Sequence, residues 1–279
     1  MRGSGPGAAG SGGALMKILV PVKRVAALED DFRIREDGRE VDEQFLNYDL
    51  NEWDNFALEQ AVLIKEGAGS DVQIVAVTVG PGDADEILRT CLAKGADRAI
   101  RVWDDAVEGS DPIAIARVLA AVARRESPGL VFAGAQSADH GHAMTGIALS
   151  ALLDWPHVAV VAALDFGAGQ EKATATRELE GGVLQDVEVA CPAVLTIQLG
   201  INKPRYASLR AIKQAAAKPI ETPSLADLGV AAGQVGQAGS ASRVRRVYIP
   251  EKGRAQLIEG SVEQKAARLA QIIREYKAA

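Results

Sequence analysis

Cysteine is scarce in this 279-residue chain, and the two present, Cys91 and Cys191, lie far apart. They form no Cys-x-x-Cys pair, so no paired-thiol metal or redox motif exists. In an acidic chain without a secretory signal they read as reduced thiols of a cytoplasmic protein. No apolar run approaches the ~18–20 residues that a helical membrane span needs, so the chain is not expected to be membrane-embedded. Positive charge is in deficit: 31 Lys and Arg against 37 Asp and Glu leave a formal charge of −6. That balance argues against a general nucleic-acid binder. No Gly-x-Gly-x-x-Gly follows a strand, and there is neither a Walker A loop nor a Gly-x-Ser-x-Gly elbow. The residues by themselves supply no redox or hydrolytic chemistry.

What is there is apolar content, 48% of the chain. That is enough for one large α/β domain with an extension, or for two small domains. Residues 1–15, "MRGSGPGAAGSGGAL", read as a disordered leader or an expression scar, with the native start expected at Met16. From there strands and helices alternate. "KILVPV" (Lys17 to Val22), "VQIVAVTVG" (Val72 to Gly80), "AIRVW" and "GLVFAG" read as strands. "FRIREDGREV" carries a hairpin signal at Asp37-Gly38. Helical spacing runs through Asn51–Glu66 and Asp85–Lys94, the latter stopped by Gly95. Asp111-Pro112 is an N-cap followed by an N1 proline, opening a helix to about Arg125. A further helix is expected over Ala143–Leu153, then the strand "HVAVVAAL". "KATATREL" and "VLQDVEVA" flank Gly181-Gly182 as an antiparallel hairpin, and "AVLTIQLG" is another strand. Beyond Lys218 the text is linker-like, ending in an amphipathic helix from about Val262 to Tyr276. The expected layout is an α/β domain over 16–217 and a C-terminal linker and arm over 218–279. Repeated strand–helix–strand units imply a doubly wound, mostly parallel sheet. Ligands of such sheets sit beyond the carboxyl ends of strands, here the loops after Val22, Val79 and Gly134.

The loop after Gly134 concentrates polar chemistry: "AGAQSADHGHAMTG" holds one Asp and two of the chain's three His. Asp139, His140 and His142 are three potential metal ligands in four residues, but they lack a His-Glu-x-x-His helix or a Cys pair, and a fourth ligand is not evident. Ser137 near His140 lacks the nucleophile elbow. A plain solvated loop is a further reading. A phosphate cradle fits the architecture: Thr145-Gly146 opens a helix directly after a strand and loop, where N–H groups are unpaired and the dipole is positive. At a second helix start, Asn51 can act as cap, and Trp53 reads either as core or as a surface for a planar ring.

Several stretches resemble the β subunits of the electron transfer flavoprotein family: "MKILVPVKRV", "LNEWDNFALEQAVLIKE", "GPGDADEILRTCLAKGADRAIRV", "ALLDWP" and above all "NKPRYASLRAIKQA". The resemblance covers nearly the whole chain from Met16. It implies a Rossmann-like domain of the adenine nucleotide α-hydrolase-like type, with a C-terminal extended arm and helix that embrace an α subunit. That subunit holds most of the FAD contacts, and the pair carries electrons from dehydrogenases to a quinone oxidoreductase or comparable acceptor. The chain is then an electron carrier subunit, not an enzyme. The resemblance further implies a structural AMP, bound by Gly134, Ala135, Gln136, Ser137, Ala138, Asp139, His140, Gly141, His142, Ala143, Met144 and Thr145, with Thr145 facing phosphate. Pro21, Asn51, Glu52, Trp53, Asp54 and Val79 match other parts of that pocket. The family commonly has several Asp and a Gln-Thr-Gly in the loop; this chain keeps only the Thr-Gly and one Asp. A bifurcating branch places a second FAD where AMP sits, and the retained Thr145 favours AMP. No metal is expected: His140 and His142 are read as neither metal ligands nor acid–base groups, at most neighbours of the nucleotide. Arg205, Tyr206 and Leu209 match a partner-docking loop, although by pattern alone Leu209 could be the first buried residue of the next helix. An enzyme of the hydrolase-like superfamily is disfavoured because Ser-Gly-Gly-x-Asp is missing after the first strand. A stand-alone nucleotide-binding protein is disfavoured by the long arm.

Overall fold

β-branched apolar runs become the middle of one sheet in a computed structural model, which describes residues 16–27, 32–42, 46–68, 72–166, 171–250, 255 and 257–278. The expected leader, 1–15, lies outside the described residues. The strands are β1 (Met16–Pro21), β2 (Arg24–Ala27), β3 (Asn47–Leu50), β4 (Val72–Val79), β5 (Arg98–Val102), β6 (Leu130–Gly134), β7 (His157–Asp165), β8 (Lys172–Leu179), β9 (Val183–Ala190), β10 (Ala193–Ile197) and β11 (Ile220–Glu221). The helices are α1 (Glu52–Ala68), α2 (Asp85–Lys94), α3 (Pro112–Glu126), α4 (Thr145–Leu153), α5 (Leu209–Ala217), the single turn α6 (Gly236–Gly239) and α7 (Val262–Ala278).

Nine strands pair in the order β11-β5-β4-β1-β6-β10-β7-β8-β9, while β2 and β3 form a separate antiparallel pair. The first seven pair in parallel, and β8 and β9 add antiparallel strands at one edge. Parallel strands covered on both faces need apolar residues at every position. β1 meets that need: Ile18 and Val20 pack in one core with Leu58 of α1 and Leu88 of α2, while Leu19 points to the other, with Leu119 of α3 and Leu149 of α4. The hairpin β8–β9 turns at Gly181-Gly182 as its sequence demands, and Ala173 and Ala175 bury only one of its faces. The doubly wound, mostly parallel α/β class expected from the alternating pattern is what the chain adopts. Asp111 caps α3 by accepting from the N–H groups of Ile113 and Ala114 at 3.0 and 2.9 Å.

Three local readings shift. α4 begins at Thr145, not Ala143, because Ala143 has φ 52° and cannot enter a right-handed helix. The Asp37-Gly38 turn forms, with Gly38 at φ 65°, but closes only one bridge, Ile34 to Val41. The expected boundary at 217/218 also moves. β11 pairs with β5, and its Glu221 is held by Arg98 at 2.5 Å. Leu225, Val230 and Val235 are buried in the α3–α4 core. Asp111 accepts from the N–H groups of Ala241 and Ser242, both at 2.9 Å. This segment lacks periodicity because its structure is a series of short turns, each burying a single aliphatic side chain.

The chain divides into two compact units, Met1–Arg33 with Asp42–Arg245, and Ile34–Val41 with Arg246–Ala279. In the second, Val247 donates to the carbonyl of Gly38 at 2.7 Å, and α7 leaves Leu269, Ile273 and Tyr276 exposed. Among the described residues no helix is long and apolar enough to cross a membrane.

Truncation separates the two boundaries. Ending the chain after Lys218 uncovers the pockets of Leu225, Val230 and Val235, a loss of roughly 5 kcal/mol at about 1.5–3 kcal/mol per buried aliphatic. Ending it after Arg245 keeps them. Denaturant melts of the two truncated proteins are expected to show a large loss only for the shorter one; equal stabilities would return the boundary to 218.

Candidate functional site

The chain runs from β1 outward through β4 and β5, then returns to lay β6 on the opposite side of β1. The carboxyl ends of β1 and β6 therefore diverge, which opens the crevice where open α/β sheets bind ligands. The first turn of α1 fills the base of that crevice. It fits because Gly134 ends β6: a Cβ there would strike the Asp54 carboxylate and stand 2.8 Å from Trp53 Cβ. The Asp54 carboxylate accepts from the N–H of Lys23, just past β1, at 2.8 Å and from the N–H of Gly134 at 3.1 Å. One buried side chain thus ties the two diverging strands together. Asn51, 1% exposed, holds the next stretch: its amide donates to the Gln136 carbonyl at 2.9 Å and accepts from the Ala138 N–H at 3.0 Å.

The loop between β6 and α4 is braced at its tip. Lys23 Nζ lies 2.7 Å from the Asp139 carboxylate, and His140 Nδ1 3.1 Å from it. Burial pushes the Asp139 carboxyl up, but hydrogen bonding to His140 and the charge of Lys23 outweigh it and hold the group well below the usual carboxylate range. His140 stacks on His142 with ring centroids 5.5 Å apart. Among the described residues no three His, Cys, Asp or Glu side chains gather as a metal-binding group. Gly141 at φ 60° and Ala143 at φ 52° turn the chain back into α4. That helix has no side-chain cap, so its first-turn N–H groups are open to an acceptor beside the half-buried Thr145. Gly146 seats the helix on β10, where a Cβ would stand 2.6 Å from Thr196 Cγ2.

A cleft of about 320 Å³ opens beside this loop, lined by Trp53, Ala135, Gln136, Ala143, Val160, Glu178, Gln198 and Leu199. Trp53 is half-buried and lines the cleft, and its indole N–H donates to Gln198 Oε1 at 3.1 Å. Val160 has φ 59°, a strained conformation for a β-branched residue. It is held there by its N–H donating to Thr196 Oγ1 at 3.0 Å. Pro21 and Val79 end β1 and β4 at the same sheet edge, and Glu52 is exposed on the first turn of α1. The expected nucleotide residues thus share the carboxyl edge of the sheet. Asn51 and Asp54 turn their side chains to the loop backbone. Sequence reasoning missed Lys23, Val160, Glu178, Gln198 and Leu199, which reach the site only through strand pairing. Lys23 alone had a signal, its place directly after the first strand.

The expected docking residues occupy a separate surface of the same unit. Tyr206 is 96% and Leu209 81% exposed. Leu209 does open a helix, α5, capped by Ser208 Oγ accepting from the Ala211 N–H at 3.2 Å, but it is not buried. Arg205 is turned inward, onto Glu59 and Glu66 of α1.

Burial pushes the Asp54 carboxyl up to about 7, against the hydrogen bonds it accepts from Lys23 and Gly134. Between its ordinary value of 3.8 and about 7 the folded protein keeps a proton that the unfolded chain has released. This contribution to stability is therefore present at low pH and lost as pH rises through 7. The thermal midpoint is expected to fall between pH 4 and about 7 more steeply in the wild type than in Asp54→Asn; parallel profiles would contradict the assignment.

The family described as "Electron transfer flavoprotein domain" matches residues 39–228. The "Electron transfer flavoprotein subunit beta" of Methylophilus methylotrophus is 64% identical over 264 residues, covering 95% of this chain and 100% of that protein. The protein of the same name from Bradyrhizobium diazoefficiens is 42% identical, covering 77% of this chain and 84% of its own length. That from Mus musculus is 36% identical over 78% and 84%. The chain belongs to the electron transfer flavoprotein family as a β subunit, an electron-carrier component rather than an enzyme.

Proposed function

We propose that this β subunit holds a structural AMP at the β1–β6 switch point and, with an FAD-bearing α subunit, carries electrons in the cytoplasm. The donors are dehydrogenases, and the acceptor is a quinone oxidoreductase or similar protein. The observation that carries the reading is the braced loop from Gly134 to Thr145: Asn51 and Asp54 fix its backbone, and it ends on an uncapped helix start. The residues present fit a nucleoside monophosphate. Thr145 and the first N–H groups of α4 are suited to phosphate, and the Trp53 ring offers an apolar wall. The cleft volume of about 320 Å³ is within the range of small-molecule sites, roughly 300–1,000 Å³. FAD, when bound, supplies the redox chemistry, which agrees with the lack of redox side chains in this chain. The part of this chain is to position and to dock. The exposed stripe of α7 is suited to lie on the α subunit, and truncation after Gly260 is expected to lower both heterodimer yield and FAD retention.

In the same reading Leu209 is the anchor for the dehydrogenase. It is a large apolar side chain, 81% exposed, and its full burial in a partner pocket stabilises by roughly 1.5–3 kcal/mol. Arg210 and Lys213 nearby favour an acidic partner surface. Leu209→Ala is expected to reduce electron transfer from the dehydrogenase about tenfold, the equivalent of 1.4 kcal/mol. AMP content, FAD content and reduction by dithionite stay unchanged. Loss of nucleotide or of folding in the variant would instead assign Leu209 to the core.

A further inference from the structure

The segment between β10 and α5, residues 198–208, contains no helix or strand, yet it carries the highly exposed Tyr206 and leads directly into the exposed Leu209 that opens α5. A loop of this kind loses conformational freedom on binding, and its affinity depends on how much of that order exists beforehand. Here the order comes from α1. The Arg205 guanidinium meets Glu59 with Nε at 2.9 Å and Nη2 at 2.8 Å, and meets Glu66 with Nη1 at 2.6 Å and Nη2 at 2.9 Å. The Arg205 backbone N–H also donates to Glu59 at 3.1 Å. Glu59 is only 5% exposed, so its charge is compensated inside the protein by Arg205. Three residues earlier Asn202 donates to the Phe56 carbonyl at 3.0 Å and to Gln60 Oε1 at 3.1 Å. Between these two fasteners Pro204 fixes one backbone angle.

Arg205 is therefore engaged on both edges of its fork by its own subunit. We propose that Arg205, Glu59 and Glu66 form an intramolecular clamp that pre-orders the docking loop, so that Arg205 is a positioning residue and not a contact to the partner. This rests on the reading of Leu209 as the dehydrogenase anchor. The geometry requires arginine: a planar guanidinium bridges two carboxylates at once, whereas an ammonium is a single point charge. A clamp of this type acts on complex formation and leaves the electron-transfer step inside the complex alone.

The test uses the purified heterodimer and a dehydrogenase chosen beforehand because it reduces the wild type. KM for the heterodimer and kcat are measured for Arg205→Lys, for Glu66→Ala, for Leu209→Ala and for each clamp variant combined with Leu209→Ala. Glu66 is on the surface, so Glu66→Ala removes half of the clamp with little risk to folding. The expected result is a KM raised about threefold in Glu66→Ala and about tenfold in Arg205→Lys, with kcat of Glu66→Ala unchanged. In the Leu209→Ala background the same substitutions add little, because the order they remove no longer serves an anchor. If Leu209→Ala raises KM while the clamp variants do not, or if they act equally in both backgrounds, the clamp is overturned and the anchor stands. If Leu209→Ala itself has no effect, both readings fall.

Discussion

The architecture of the site depends on one close approach: the first turn of α1 against the last residue of β6, possible because Gly134 has no side chain. That approach puts the Asp54 carboxylate where it can accept from the main chain of Lys23 and of Gly134 at once. A doubly wound sheet opens where its strand order reverses, and the backbone donors exposed there must find acceptors. Asp54 is that acceptor, and its burial lifts its pKa to about 7. The base of the crevice is thereby filled by the first turn of α1, with the loop from Ala135 to Met144 beside it.

α1 then serves two surfaces. Its start fixes the loop at the switch point through Asn51 and Asp54. Its middle and end, through Glu59, Gln60 and Glu66, fix the segment that presents Tyr206 and Leu209. Ala57, Leu58, Ala61 and Val62 on its inner side are buried against the sheet. A helix held along one face by the core and at two levels by polar contacts is a rigid reference for both surfaces. This division of labour suits a subunit whose family carries electrons on a flavin: precise placement matters, and reactive side chains do not.

Much of the fold could be read from local signals. Asp111-Pro112, the stop at Gly95 and the turn at Gly181-Gly182 each state their geometry within a few residues, and the structure realises all three. The alternation of Ile18, Leu19 and Val20 between two cores, all three fully buried, explains why an unbroken apolar run predicts a strand covered on both faces. What remained illegible is long-range. Gln198 meets Trp53 only because β10 lies beside β6, and Arg205 meets Glu59 only because α1 passes beneath the loop. The turns after Ile220 carry no period, since each buries one aliphatic residue and then reverses. The resemblance supplied the expected nucleotide residues by position; the geometry adds that Asn51 and Asp54 brace the loop, with Trp53 lining the cleft.

In the proposed arrangement the braced loop at the switch point holds a nucleoside monophosphate while the flavin resides with the α subunit. That arrangement is tested most directly by denaturing the co-purified heterodimer and counting the nucleotides released, by chromatography against standards. One AMP and one FAD per heterodimer are expected. Two FAD and no AMP would contradict it and assign this subunit to the bifurcating branch.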